Sequence, residues 1–246
     1  MAQDTKVALI TGANKGIGLE TARQLGQQGI VVIAAARDFN KSEHAAKVLR
    51  GEGIDARSLK LDVTSAQDRD AAVKFVQQHF GKLDILVNNA GIMVEGEWAA
   101  NDSDSISLET LQQTFDTNFF GPIALTQALL PLLKKAPAAR IVNLSSIQGS
   151  LAIHSDPKSP IYGLKPFGYN SSKTALNSFT VHLAHALRDT PIKVNSAHPG
   201  WVKTDMGTDA APLNVAEGAK TTVELATLPK DGPTGAYLHA GKVLPW

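Results

Sequence analysis

The chain has 246 residues, 24 Lys and Arg against 23 Asp and Glu, 43% hydrophobic residues and no cysteine. A formal charge of +1 builds no field able to gather nucleic acid or an anionic membrane, and a chain without thiols has no disulfide, cysteine nucleophile or thiolate metal site. Its length suits a single domain with a sizeable core, and a small molecule is the expected partner.

The first apolar run follows Met1-Ala-Gln-Asp-Thr-Lys6 and breaks at Gly12, too short for a signal peptide or a spanning helix, so the cytoplasm is the expected compartment. Val7 to Ile10 reads as a buried strand ending at Thr11-Gly12, after which Ile17, Ala22 and Leu25 fall at helical spacing over 17 to 28. The alternation then repeats. Ile30 to Ala36 is a strand, Ser42 to Arg50 a helix, Ala56 to Leu61 a strand and Ala66 to Phe80 a helix with Ala72, Val73, Val76 and Phe80 inward. Ile85 to Val87 is a fourth strand, Leu108 to Lys135 one long or two abutting helices, and Arg140 to Leu144 a fifth strand. Tyr169 to Leu187 is a helix, Ile192 to Ala197 a sixth strand, and Ala236 to Leu238 a seventh.

Strands separated by helix-length segments need crossovers, and crossovers make parallel pairs. The expected fold is therefore α/β, a doubly wound, Rossmann-like parallel sheet of about seven strands with helices on both faces, in one domain spanning 1–246. Residues 93–107, 148–168 and 204–214, rich in Gly, Pro, Ser and Asp, resist regular assignment and are the expected substrate loops.

Thr11-Gly12-Ala13-Asn14-Lys15-Gly16-Ile17-Gly18 sits where the first strand becomes the first helix, where free N–H groups and the helix dipole favour an anion. The Gly-x3-Gly-x-Gly spacing differs from the usual dinucleotide fingerprint, and the strand-to-helix context carries the reading. At the end of the second strand, Arg37 is placed to accept a ribose 2′-phosphate, and Lys15 adds a second cation, which favours NADPH. Asp38, next in the chain, would favour the unphosphorylated cofactor if it turned toward the ribose.

Tyr169 and Lys173 are four residues apart at the start of a helix and share one face. A phenol of pKa ~10 needs a nearby positive charge to serve as an acid–base group at neutral pH, and Lys173 is expected to lower it. Ile141 to Ser146 is a buried-type strand that delivers two hydroxyls at its C-terminal end, the ligand-binding edge of a doubly wound sheet. No Gly-x-Ser-x-Gly elbow surrounds them, which argues against a serine hydrolase. No His, Asp and Glu cluster has metal-binding spacing, and His198 beside Pro199 reads as structural.

Taken in order, Thr11-Gly12-x3-Gly16-x-Gly18, Leu61-Asp62-Val63, Asn88-Asn89-Ala90-Gly91, Asn118, Ser146, Tyr169-x3-Lys173 and Pro199-Gly200-x3-Thr204 resemble the short-chain dehydrogenase/reductase family. The resemblance runs from the glycine turn into the final third of the chain. It implies that Asp62, with Val63, meets the adenine, and that Asn88, Ala90 and Gly91 flank the adenosine ribose. It likewise implies that Lys173 holds the nicotinamide ribose, Tyr169 is the acid–base group, and Asn118 helps position a water of a proton relay. Ser146, with Ser145 as the alternative, would orient a substrate carbonyl, because the family places a glycine just beyond its serine, here Gly149. Pro199, Gly200, Val202 and Thr204 would form the clamp on the nicotinamide carboxamide.

Ser146 and Tyr169 lie 23 positions apart, more than is common in the family, so residues are inserted around His154 to Pro166. With Asn14-Lys15 and Ala36-Arg37-Asp38, this resembles the carbonyl-reductase branch, which uses NADPH on ketones and aldehydes. The expected partner is a small carbonyl compound, and monomer, homodimer and homotetramer remain open. Met93, Trp98, Ile147, Tyr162 and Phe167 are candidates for an apolar pocket wall, although loop aromatics more often cover a core. The competing activities are a 3-oxoacyl-thioester reductase and a secondary-alcohol dehydrogenase. A nucleotide-sensing protein that has lost catalysis is the competing class.

Overall fold

The chain was analysed as a computed structural model that describes residues 5–96 and 103–246. Strands β1 (Val7–Thr11), β2 (Val31–Ala36), β3 (Ala56–Lys60), β4 (Ile85–Asn88), β5 (Arg140–Leu144), β6 (Lys193–Ala197), β7 (Tyr237–His239) and β8 (Lys242–Val243) form one sheet in the order β3-β2-β1-β4-β5-β6-β7-β8. Every pair is parallel except β7 with β8. The order reverses between β1 and β4, which opens a crevice at their C-terminal ends. The helices are α1 (Gly16–Gln27), α2 (Phe39–Gly51), α3 (Ala66–His79), α4 (Leu108–Phe115), α5 (Gly121–Leu133), α6 (Leu151–His154), α7 (Phe167–Ala186) and α8 (Val215–Ala226). Among the described residues, no helix is long and apolar enough to cross a membrane.

Strand alternation divides the core into two layers. Leu9, Ile33, Leu86 and Ile141 meet α3, α5 and α7 on one face, while Ile10, Val32, Val87 and Val142 meet α1, α2 and α8 on the other. Both faces are covered, so the central strands read as continuous apolar runs.

Toward the C-terminal ends of the strands the α5/α7 face turns polar. Asn88 Nδ2 donates to Thr126 Oγ1 (3.0 Å) and to Asn143 Oδ1 (2.8 Å). Asn143 Nδ2 donates to Thr180 Oγ1 (2.8 Å), which is 2.8 Å from Ser196 Oγ. This internal row ties β4, β5 and β6 to α5 and α7, the elements that carry the site.

Helix starts follow their sequence signals. Asp38, Ser65 and Ser107 accept the backbone N–H of Lys41 (3.0 Å), Asp68 (3.2 Å) and Thr110 (3.0 Å), and Asn214 with Glu217 forms a capping box on α8. α1 differs, for Lys15 at its start offers no side-chain cap and the first turn holds no acid.

Two details depart from expectation, and one open alternative is decided. The sheet has eight strands rather than seven, because the chain turns at Ala240-Gly241, both at positive φ, and pairs two exposed residues back on β7. Such a strand has no apolar signature. Within the expected loop 148–168, a 3-10 turn at Ile147–Gly149 and the single-turn helix α6, capped by Ser150 on Ile153 N (3.2 Å), are too short to show periodicity. The segment Leu108 to Lys135 is two helices joined by a π-turn at Asp116–Phe120.

β5 begins with a buried arginine. The Arg140 guanidinium donates to the carbonyls of Leu228 (2.7 Å), Ala138 (2.8 Å), Ala139 (2.9 Å), Pro229 (3.0 Å) and Pro191 (3.3 Å). Arg140→Met removes these donors, and urea unfolding should read a loss of about 2 kcal/mol or more. Ligand binding at the opposite end of β5 should be unchanged.

Candidate active site

The crevice between β1 and β4 opens into a cavity of about 510 Å³. Its floor is the turn from β1 into α1. Gly12 has φ +64°, a left-handed conformation that a Cβ would strain, and a Cβ on Gly18 would come within 2.4 Å of Asn89 Nδ2 and 2.5 Å of Gly12 O. The turn is held from β4. Asn89 Nδ2 donates to Thr11 O (2.7 Å), and the backbone N–H groups of Asn89 and Ala90 both donate to Thr11 Oγ1 (2.9 Å each). The uncapped start of α1 thus faces an open space lined by Gly12, Asn14, Lys15, Gly16, Ile17 and Gly18.

At the outer edge Arg37 and Lys15 line the cavity, and an adjoining depression is lined by Asn14, Lys15, Asn40, Lys41 and His44. Asp38 Oδ1 is engaged as the cap of α2. Lys15 is ion-paired with Asp205, which lies just beyond Thr204 on the opposite rim. Asp62 Oδ1 accepts from Thr64 N (2.9 Å) and Thr64 Oγ1 (2.8 Å), while its neighbours Leu61 and Val63 line the cavity.

At the inner end α7 presents Tyr169 and Lys173, both buried and both on the cavity wall. Lys173 Nζ lies 5.6 Å from the Tyr169 ring centroid and donates to Leu144 O (2.8 Å) at the end of β5. Burial brings Lys173 down to about 8. Burial also pushes the Tyr169 phenol up to about 12, against the pull of a hydrogen bond with Ser146 and with a further upward push from Glu95. The expectation of a lowered phenol is therefore corrected: desolvation prevails over any lowering by the neighbouring Lys173.

Ala90, Gly91, Pro199 and Thr204 also line the cavity. Other expected residues lie behind it. The Asn88 side chain points into the internal polar row, because it follows Leu86 on the same face of β4. Asn118, on the π-turn, accepts from Ile92 N (2.8 Å) and donates to Ile92 O (2.8 Å) and Ser172 Oγ (3.0 Å), which places it under Gly91. Val202 is buried and pairs with Leu213, supporting the turn of Pro199 and Gly200 from below. Of the two serines, Ser145 faces the cavity, whereas Ser146 bonds with Tyr169 and accepts from Gln148 N (3.3 Å). The cavity further includes Leu61, Asn89, Leu144 and Ser145, which stand within segments singled out in the sequence, and Ile92, Thr117, Lys203, Asp205, Met206 and Val215, which carried no motif. Met93, Ile147, Tyr162 and Phe167 are not among the lining residues, and Tyr162 instead lies under the Lys165 ammonium (4.5 Å). Trp98, with residues 97–102 of the first expected loop, falls outside the described residues.

His198 joins the two ligand-facing turns. Its Nδ1 accepts from Ile147 N (3.2 Å), in the serine turn, and from Gly200 N (3.4 Å). Burial, with His239 beside it, pushes the ring down to about 3 from its ordinary 6.5. Only the unfolded chain then takes up the proton between these values. Stability is unaffected by this ring above pH 6.5 and falls as the pH drops from 6.5 toward 3, by about 2 kcal/mol at pH 5. His198→Asn keeps an acceptor that does not titrate, and urea unfolding between pH 7.5 and 5 should show a shallower loss than in the unaltered protein.

Three comparisons agree with this geometry. The family model for short chain dehydrogenase matches residues 6–213. (-)-Isopiperitenone reductase of Mentha piperita is 33% identical, with 99% of each chain covered, and carbonyl reductase [NADPH] 1 of Sus scrofa is 34% identical, with 100% of this chain and 96% of that one covered. Among solved structures, the NADPH-bound carbonyl reductase from chicken fatty liver is 31% identical with a TM-score of 0.85, covering 98% of this chain and 99% of that one. With its glycine turn, its Tyr169–Lys173 pair and these likenesses over nearly its whole length, the chain belongs to the short-chain dehydrogenase family and is similar to the carbonyl reductases within it.

Proposed function

We propose that this protein reduces ketones or aldehydes to alcohols with NADPH, Tyr169 acting as the general acid. One observation carries the reading: Tyr169 and Lys173 are buried on the wall at the inner end of a cavity whose outer end is a glycine turn edged by cations, with the half-buried Ser146 hydrogen-bonded to Tyr169.

The residues present fit the dinucleotide. Gly12 and Gly18 leave a cradle that a Cβ would fill, and α1 offers its free N–H groups to a pyrophosphate. Arg37 and Lys15, with Lys41 and His44 in the adjoining depression, favour a 2′-phosphate, and the bond from Lys41 N holds the Asp38 carboxylate at the start of α2. Asp62 and Val63 would meet the adenine, and Ala90, Gly91 and the main chain of Asn88 the adenosine ribose. Lys173 would hold the nicotinamide ribose, and the backbone of Pro199, Gly200, Val202 and Thr204 the carboxamide. NADPH, when bound, supplies the hydride.

The chain's own part is to orient a carbonyl oxygen between the Ser146 and Tyr169 hydroxyls and to deliver a proton from Tyr169 Oη. A phenol held high by burial is in the protonated form that this delivery requires. Asn118, seated beneath Gly91 near Lys173, supports a route for its reprotonation.

Tyr169→Phe should lower kcat for carbonyl reduction by about a hundredfold or more while NADPH affinity, read by fluorescence titration, stays within a few-fold. Near-normal turnover would remove Tyr169 from the role. Replacing Lys15 and Arg37 together with alanine should raise KM for NADPH by roughly tenfold or more, a loss of about 1.4 kcal/mol, with little change for NADH. Equal changes for both cofactors would overturn the phosphate assignment. A panel of ketones and aldehydes, assayed with both cofactors, tests the substrate class.

A further inference from the structure

α7, the helix that carries Tyr169 and Lys173, has no cap of its own: Pro166 stands at its start and contributes no side-chain hydrogen bond, and the first turn holds no acid. The missing acceptor comes from a segment 74 positions earlier. Glu95 Oε1 accepts the backbone N–H of Tyr169 at 2.8 Å. The carboxylate is pressed onto the helix start, for a Cβ on Gly168 would come within 2.7 Å of Oε1. Glu95 is 7% exposed, and its Oε2 is buried with no hydrogen-bond partner among the described residues.

A surface cap needs only a serine or asparagine, so a buried carboxylate is a costly way to close one N–H. Its charge has a second consequence. Free N–H groups at a helix start create a positive potential, which stabilises a nearby anion and would make a phenol in the first turn more acidic. An acidic side chain at that position cancels the potential and opposes ionisation of the phenol.

We infer that Glu95 is a positioning residue with an electrostatic duty: it seats the start of the catalytic helix and adds to the burial that opposes ionisation of the Tyr169 phenol, biasing the site toward carbonyl reduction over alcohol oxidation. This rests on the reading of Tyr169 as the proton donor. The groups facing the phenol are Ser146 beyond β5, Lys173 on α7, Glu95 from the segment after β4, and Tyr237 of β7. Glu95 is the carboxylate among them, and its influence on Tyr169 is upward. Lys173 donates to Leu144 O and lies 5.6 Å from the phenol ring, so its charge and that of Glu95 act on the hydroxyl in opposite directions.

The test compares Glu95→Gln, which keeps an acceptor for Tyr169 N–H but has no charge, with Glu95→Ala, which has neither. Two readouts are needed: the basic limb of kcat/KM against pH for reduction, and the ultraviolet titration of tyrosinate isolated by subtracting the Tyr169→Phe protein. Both variants should move both curves to lower pH, by about half a unit or more for removal of a nearby partly screened charge. Thermal stability should fall more for Glu95→Ala than for Glu95→Gln. A merely structural cap predicts that Glu95→Gln matches the unaltered protein in both curves, and that result, in a folded and active variant, overturns the inference. The tyrosinate titration needs no turnover. If no carbonyl is reduced by the unaltered protein, the proposed function fails, and the titration still decides whether Glu95 sets the acidity of Tyr169. If Glu95→Gln does not fold, Glu95→Ala carries the same comparison. If neither folds, burial of the carboxylate serves the fold alone and the inference is abandoned.

Discussion

Two polar groups are held out of water at the sheet's mouth, and much of the structure serves to keep them there. The Tyr169 phenol and the Lys173 ammonium both favour hydration, yet α7 packs them against the ends of β4 and β5, where each is buried. Leu144 O accepts from the ammonium, and Ser146 bonds with the phenol. Desolvation moves the two pKa values apart in the direction of neutral forms, the phenol upward and the lysine downward. Both groups are thus shifted toward their uncharged forms relative to water.

This arrangement requires α7 to stay in register with the sheet, and the internal polar row provides that. Asn88, Asn143, Thr180 and Ser196 link three strands to α7 by directional bonds, where apolar side chains alone would allow sliding. The row lies between the apolar core and the site. Below it Leu86 and Ile141 pack in the ordinary way; above it the chain turns outward at Asn89 and Ser145 to meet the cavity. The π-turn at Asp116–Phe120 brings Asn118 beneath Gly91, where its amide clasps the segment after β4 through the backbone of Ile92. His198 performs a similar service across the two turns that face the ligand, joining the serine turn to Gly200 through one ring nitrogen.

The cleft is edged asymmetrically. One rim is the rigid glycine turn, fastened to β4 by Asn89, and the other is the chain beyond Pro199, with Asp205 reaching across to Lys15. Both members of that ion pair are largely exposed, so it contributes little to stability. It leaves Lys15 free to exchange its partner for a phosphate.

Local sequence carried the alternation of strand and helix, the glycine turn and the spacing of Tyr169 and Lys173, because each depends on residues within a turn or two of one another. Apolar runs announced the buried strands, since a parallel sheet covered on both faces needs no polar alternation. Side-chain direction at the strand ends was not legible in the same way. Asn88 and Asn89 are neighbours of identical type, yet one enters the core and the other holds the glycine turn, a choice made by the pleat of β4 relative to α5. Lys173, its neighbour in sequence, was no guide to the acidity of Tyr169, because burial by the whole fold outweighs the lowering bond with Ser146, and Glu95, 74 positions away, adds a smaller upward push. Interactions that span a few residues are written in the order of the chain; desolvation and long-range charge exist only once distant segments have packed together and excluded the water between them.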